Sequence, residues 1–410
     1  MADPAPGEAL AAGPLRGFKD FAQFAAPTRV IAGRDLLEST GFEFQKEGAH
    51  RIFLVTDEGI RGTGLVERVE AGVTDGGLEV AGVFDDVPQD SSTAVVDRCA
   101  AAAKEAGADS FLAVGGGSVM DTAKAADAVF THGGTAREQE GFFLLPREDD
   151  GMGRPLELAP LACIPTTAGT GSEVSMAAVI KEPDEKVKLE IADFPMFPRL
   201  AILDPESTRT LPAAVAAATG MDAMTHGIES YTCVDWSPFG DARALEALRL
   251  IRDNLERAVE RGPDDEEARG QMLIAASLAI SLNLGSVHAL SHPCGAHFGV
   301  PHGVANAIHL PHVIRFNAAG GSEIANRFRD LNELFGLEAG GSDAEIADAL
   351  ADHITRLVSR LGLPTRLSEV GVPEDGIPAL VEGAMGDGTS LLNPREPGED
   401  DYAGLLRKAF

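Results

Sequence analysis

The sequence predicts an α/β domain followed by an all-helical domain. Three observations carry this. Up to about Pro205, short apolar runs alternate with helical patterns. A strand–helix–strand rhythm of that kind implies a mostly parallel sheet with helices on both faces. After about Leu211, apolar residues recur at the helical period and no convincing strand follows. The boundary is therefore placed near residue 208, dividing the chain into 1–208 and 209–410.

The elements follow in order. The opening dozen residues are rich in Ala, Pro and Gly and are expected to fray. The apolar runs are RIFLVTD (51–57), LEVAGVFD (78–85), SFLAVGGG (110–117), LACIPTT (161–167), AAVIK (177–181) and LAILDP (200–205). Between the second and third, STAVVDRCAAAAKEAGA has helical spacing. The stretch EQEGFFLLPREDDGMGRP (138–155) is an acidic, Gly-containing connection with no assigned structure. In the second half, helices are expected over 241–262, 265–285 and 342–362, each with an apolar stripe and a charged outer face. No repeat of fixed period is seen.

Composition excludes several classes. Of 410 residues, 44% are hydrophobic and 24% charged, the balance of a globular protein. Lys and Arg total 34 against 64 Asp and Glu, a net charge of −30. A chain without a cationic footprint is not expected to bind nucleic acid or an anionic membrane surface. The longest apolar stretch, 273–285, contains Ser and Asn and is too short to span a bilayer. The N-terminus has no basic region followed by an apolar run, so no signal peptide is expected. Cys99, Cys163, Cys233 and Cys294 are far apart and form no CxxC pair. They are expected to be reduced thiols in a cytoplasmic protein.

The run FLAVGGGSVMDTAKAAD (111–127) reads as strand, three glycines, helix. Gly115, Gly116 and Gly117 let the backbone turn sharply and approach a ligand. Free N–H groups at the helix start favour an anion such as a pyrophosphate. This is not the GxGxxG fingerprint, and a plain strand–helix turn is the alternative. Asp57 ends its strand, where a carboxylate can bond a ribose 2′-hydroxyl and repel a 2′-phosphate, favouring NAD over NADP. A solvated loop aspartate is the competing reading there. The loop IPTTAGTGSEVS (164–175) packs hydroxyls and glycines suited to phosphate, ribose or amide contacts, or serves only as a polar loop.

The histidines cluster. Seven of the ten lie between His226 and His312. Asp222 and His226 stand at i and i+4, on one helical face. His288 and His292 repeat that spacing, His297 follows, and His302 comes directly after Pro301. One carboxylate with several imidazoles at helical spacing is a candidate site for Zn²⁺ or Fe²⁺. Any one of these histidines alone reads as a core or surface residue. Spacing does not say whether His288 or His292 is the ligand.

GGGSVMDTAK (115–124), PTTAGTGSEVS (165–175), GMDAMTHGIESY (220–231), VHALSHPCGAHFGVPHGVANA (287–307) and NPREP (393–397) together resemble the iron-containing, group III alcohol dehydrogenase family. The resemblance spans nearly the whole chain, in order. It implies an N-terminal Rossmann-like dinucleotide-binding α/β domain, a helical metal-binding catalytic domain, and an active site in the cleft between them. This is the architecture shared with dehydroquinate synthase. It implies the metal ligands Asp222, His226, His288 and His302, with His292 beside the nicotinamide as a proton relay. It implies that the turn through Gly115, Gly116, Gly117 and Ser118, with Asp121, sits at the pyrophosphate. Thr166, Thr167, Thr170 and Lys188 would contact the cofactor, and Asp57 the adenosine ribose. Some positions depart from the pattern. The cofactor-contacting Pro-Asn-Pro-Thr stretch reads Pro88, Gln89, Asp90, Ser91, and Cys294 and His297 stand where bulkier apolar or aromatic residues are common.

The expected activity is reversible hydride transfer between a small primary alcohol or aldehyde and NAD(H), with Fe²⁺ or Zn²⁺, in a homodimer. Related zinc polyol dehydrogenases of the glycerol type and dehydroquinate synthase-like lyases are the nearest alternatives. Few Lys or Arg lie near the histidines, which disfavours the lyase and its phosphorylated substrate. A non-catalytic metal-stabilised protein or a filament-forming scaffold is the alternative from another class.

Overall fold

In the computed structural model, residues 24–147, 155–185, 187–280 and 283–410 are described. The strands are β1 (Arg29–Ala32), β2 (Arg51–Val55), β3 (Glu79–Phe84), β4 (Ser110–Gly115), β5 (Gly141–Phe142), β6 (Leu161–Pro165), β7 (Ala177–Glu182), β8 (Val187–Ala192) and β9 (Leu200–Leu203). Six of them form one sheet in the order β1-β9-β6-β4-β2-β3, with every pairing parallel. The central strands β4, β6 and β9 are buried at every position, as strands covered on both faces must be. Alternate residues divide between two cores. Phe53, Val55, Phe111 and Ala113 pack on one face, and Ile52, Leu54, Leu112 and Val114 on the other. The helices between the strands are α1 (Thr40–Gln45), α2 (Glu58–Arg61), α3 (Leu65–Asp75), α4 (Thr93–Ala106) and α5 (Gly117–His132).

The expected run AAVIK is a strand, but not of the main sheet. As β7 it pairs antiparallel with β8, and β5 completes a second sheet in the order β5-β8-β7. Strand β8 was not among the expected runs, although Val187, Leu189 and Ile191 alternate with charged Lys188 and Glu190, the mark of a half-buried hairpin strand. Strand β1 was not among them either; it lies at the sheet edge with none of its 4 residues fully buried. The connection 138–155 contributes β5, and its residues 148–154 lie outside the described residues. So does the opening dozen, for which fraying was expected.

Beyond Leu203 the described residues contain helices and no strand. They are α6 (Ala213–Thr232), α7 (Pro238–Arg261), α8 (Glu266–Ala279), α9 (Ser286–Phe298), α10 (His302–Asn317), α11 (Ser322–Leu334), α12 (Asp343–Arg360), α13 (Ile377–Gly386) and α14 (Glu399–Ala409). Local sequence sets their starts. Ser237 caps α7 through Gly240 N, with Pro238 in the first turn. Ser342 and Glu345 form a capping box on α12. The helix expected over 265–285 stops at Ala279 instead. Arg243 bonds the carbonyls of Ser277 and Ile280 at 2.9 and 3.2 Å, so a side chain from α7 satisfies the exposed helix end. No helix among the described residues is long and apolar enough to cross a membrane. All four cysteines are buried and free.

Candidate metal and cofactor site

Helix α6 is buried along nearly its whole second half, so Asp222 and His226 project into protein rather than water. Helix α9 brings His288 and His292 alongside. Helix α10 begins at His302, directly after Pro301, whose ring holds φ at −57° for the entry. Gly303 lets that entry lie against α6. A Cβ there would stand 2.1 Å from the Ala218 carbonyl oxygen.

Three imidazoles converge on one carboxylate oxygen. From Asp222 Oδ1, His226 Nε2 and His288 Nε2 lie at 3.8 Å and His302 Nε2 at 3.5 Å. Ligands about 2.1 Å from a shared tetrahedral metal stand roughly 3.4 Å from one another. The observed separations are close to those edges, so the donor set fits a divalent transition metal. The donor atoms of Asp222, His226 and His288 all lie within 4.8 Å of one another. An acceptor set of this kind draws in positive charge or N–H groups. Asn306 Nδ2 sits among it, 2.7 Å from Asp222 Oδ1, 3.2 Å from His302 Nε2 and 3.4 Å from His288 Nε2.

Spacing left His288 and His292 equivalent, but the fold separates them. His288 Nδ1 meets Glu229 Oε2 at 2.5 Å, and Glu229 Oε1 accepts from Val287 N at 2.8 Å. A carboxylate on Nδ1 keeps a proton there and leaves the Nε2 lone pair for a metal. His292 is turned elsewhere. Its Nδ1 meets Asp387 Oδ2 at 2.7 Å, and its ring stacks on His302 with centroids 5.3 Å apart. Asp387 Oδ1 accepts from Thr389 N at 3.0 Å and from the Thr389 hydroxyl.

Burial lowers the pKa of His226, though Asp222 pulls it back up. Burial, then the neighbouring His288 and His292, hold His302 well below the ordinary histidine value. Burial also works against the charged form of His288, but the Glu229 carboxylate outweighs it and raises the pKa. Burial alone would raise Asp387, yet His292 and Thr389 bring it below the ordinary range. Neutral imidazoles at His226 and His302 are the form that ligates metal.

Glu229, Asn306 and Asp387 were not singled out from sequence. Glu229 lies within GMDAMTHGIESY, two turns beyond Asp222 on the same helix, so periodicity marked it. Asp387 lies 95 residues from His292, and no local signal joins them. Replacing Glu229 with Gln is expected to weaken iron binding about 10- to 100-fold, read by chelator competition. An unchanged affinity would show that the His288 ring needs no carboxylate.

The candidate cofactor residues gather at the carboxyl edge of the main sheet. Gly115 closes β4 and α5 opens at Gly117, with no side-chain cap on its first turn. The loop after β6 packs on this turn. A Cβ on Gly116 would stand 3.3 Å from the Thr167 side chain, and one on Gly117 would stand 2.7 Å from Thr170 Cγ2. Thr166 N donates to Gly115 O at 2.9 Å, joining the two loops. Thr167 Oγ1 is buried without a hydrogen-bond partner. A bare helix start, two side-chain-free positions and an unsatisfied hydroxyl fit an anionic, hydroxyl-bearing cofactor.

Other candidates are engaged within the protein. Asp121 accepts from Ser172 Oγ at 2.6 Å and Val179 N at 3.0 Å, tying the polar loop and β7 to α5. Burial is the largest influence on Asp121 and raises its pKa. Ser118 Oγ accepts from Asp90 N at 3.2 Å, and Lys188 Nζ pairs with Asp90 Oδ1 at 3.2 Å. Asp57 caps α2 by accepting from Ile60 N at 2.9 Å, at the end of the strand that neighbours β4. Cys294 is fully buried, its thiol donating to Leu290 O at 3.2 Å, whereas His297 is exposed near the end of α9.

Residues 27–205 match the model of a family described as iron-containing alcohol dehydrogenase, and residues 216–410 match that family's C-terminal model. The chain is 37% identical over 395 residues to 1,3-propanediol dehydrogenase of Klebsiella pneumoniae, covering 94% of this chain and 98% of that protein. It is 34% identical over 392 residues to NAD-dependent methanol dehydrogenase of Bacillus methanolicus, covering 94% and 99%. The solved structure of a 1,3-propanediol oxidoreductase superposes with a TM-score of 0.88 at 35% identity, covering 95% of this chain and 100% of the other.

Proposed function

The chain belongs to the iron-containing alcohol dehydrogenase family, and from that premise we propose how its residues divide the work. It is a metal-dependent, NAD(H)-linked alcohol dehydrogenase and aldehyde reductase. The observation that carries the assignment of the centre is the convergence of three imidazole nitrogens on Asp222 Oδ1. Asp222, His226, His288 and His302 hold the metal. Glu229 orients His288, and the amide of Asn306 supports Asp222.

When bound, Fe²⁺ supplies a Lewis acid for the substrate oxygen and NAD supplies the hydride acceptor. The protein's share is binding, orientation and proton handling. Gly116, Gly117 and Ser118 take the pyrophosphate at the start of α5. Thr166, Thr167 and Thr170 frame that turn, and Asp121 holds their loop in place. Lys188, paired with Asp90, borders the cofactor, and Asp57 receives the adenosine ribose and disfavours a 2′-phosphate. Asp387 keeps a proton on His292 Nδ1, so Nε2 is the atom that takes or returns the substrate proton. Asp222 and His288 are buried, which keeps bulk water from the reacting end of the cleft.

The substrate is a small primary alcohol or aldehyde. The α/β unit ends at residue 208 and the helical unit begins at 209, between the last strand and α6. The protein works in the cytoplasm, consistent with four free thiols, as a homodimer. NADH oxidation by iron-loaded protein, assayed against short aldehydes with NADPH and Zn²⁺ as parallel arms, tests this reading. Turnover is expected with NADH and Fe²⁺ and is expected to be weaker with NADPH. No turnover in any arm, with metal bound, would overturn it.

A further inference from the structure

Strand β8 has one face in the protein core and one turned to α9. Leu189 and Ile191 are buried, so Lys188 and Glu190, which alternate with them, share the opposite face. Lys188 marks where that face looks. Its Cε and Nζ lie 3.8 Å from where a Cβ on Gly295 of α9 would stand. Two positions along the same face, a carboxylate oxygen of Glu190 lies within 4.8 Å of donor atoms of both His292 and Asp387.

The neighbours of Glu190 are already partnered. Lys188 is held by Asp90, and Asp387 is engaged by His292 through one oxygen and Thr389 through the other. Among the described residues no hydrogen bond or ion pair engages the Glu190 carboxylate, whose backbone lies opposite Val179 in the β7–β8 ladder. Burial raises the pKa of this half-buried carboxyl, His292 opposes the rise and Asp387 adds to it. This carboxyl stands beside His292, whose ring lies 5.3 Å from that of His302. A short substrate with its reacting oxygen at the histidine cluster has its far end within reach of Glu190.

We propose that Glu190 is a specificity-determining residue that accepts a hydrogen bond from a second hydroxyl of the substrate, selecting short diols and hydroxyaldehydes over plain alkanols and alkanals. The inference rests on the dehydrogenase reading of the same cleft. A carboxyl accepts an O–H bond whether or not it is ionised, whereas a methyl terminus would leave it unsatisfied.

The test compares 3-hydroxypropanal with propanal as substrates of iron-loaded enzyme with NADH. It uses wild type, Glu190→Leu, Glu190→Ala and Glu190→Gln, with bound iron measured by plasma mass spectrometry. The ratio of kcat/KM for the hydroxyaldehyde over propanal is expected to fall about tenfold or more in Glu190→Leu and Glu190→Ala. It is expected to stay within about threefold of wild type in Glu190→Gln, which keeps an acceptor oxygen. All variants are expected to hold iron as wild type does. An unmoved ratio in whichever apolar variant folds would overturn the proposal. Iron loss would also overturn it, by making Glu190 a metal ligand. Wild-type protein that turns over neither aldehyde would sink the dehydrogenase reading and this inference with it, a result distinct from an unmoved ratio in an active enzyme.

Discussion

Replacing His288 with Ala is expected to leave the protein unable to retain iron and to lower kcat/KM about a thousandfold or more. The side chain does two things at once. It presents Nε2 within 3.8 Å of Asp222 Oδ1, and it pairs through Nδ1 with the buried Glu229. Its loss breaks the donor set and leaves the Glu229 carboxylate, among the described residues, with only the Val287 N–H as a partner. Lewis-acid activation is worth several kcal/mol, and each 1.36 kcal/mol is tenfold in rate, hence about three decades. His292→Ala is the contrasting variant. That ring lies one turn away on α9 but is bound to Asp387, so its loss is expected to slow turnover while iron stays bound. Plasma mass spectrometry of both purified variants, alongside NADH kinetics, separates the roles. Equal iron content in the two proteins would overturn the assignment.

Gly303→Ala is expected to cost nearly as much without touching a ligand. The added Cβ would stand 2.1 Å from Ala218 O and 2.6 Å from Ala218 C, both backbone atoms of α6. No side-chain rotation relieves such a clash, so the start of α10 must move away from α6 by about an ångström. His302 is the residue before Gly303, and Asp222 lies one turn beyond Ala218. The movement therefore separates two of the four proposed ligands. Misplacement of about 1 Å costs on the order of a hundredfold in rate, and overpacking costs about 1–3 kcal/mol of stability. Gly404→Ala in α14 is the control, because nothing lies within 4 Å of its would-be Cβ. It is expected to raise stability slightly, as Ala for Gly inside a helix does. Wild-type iron content and kcat/KM in Gly303→Ala would show that the α6–α10 approach does not set the site.

Much of this architecture is legible locally. Apolar runs with no polar alternation mark β4, β6 and β9, because strands covered on both faces need no polar side. The three glycines of 115–117 mark the turn, and i,i+4 spacing marks the shared face of Asp222 and His226. What escaped was decided at a distance. β8 is an alternating strand whose partner and sheet cannot be read from its own residues. The end of α8 is satisfied by Arg243, 34 residues away from Ser277.

By itself, the sequence determined the alternation of strands and helices through β2, β3, β4, β6 and β9, the phosphate-suited turn, and the set of histidines from which a metal site would be drawn. These are properties of neighbours along the chain, where a 2.0- or 3.6-residue period fixes which side chains share a face. The tertiary structure alone decided which of His288 and His292 meets Asp222. Residues one turn apart occupy the same helical face, so no periodicity distinguishes them. The pairing of Glu229 with one ring and Asp387 with the other does so. The tertiary structure also set Glu190 beside His292, because only the folding of a hairpin against α9 brings those two residues together.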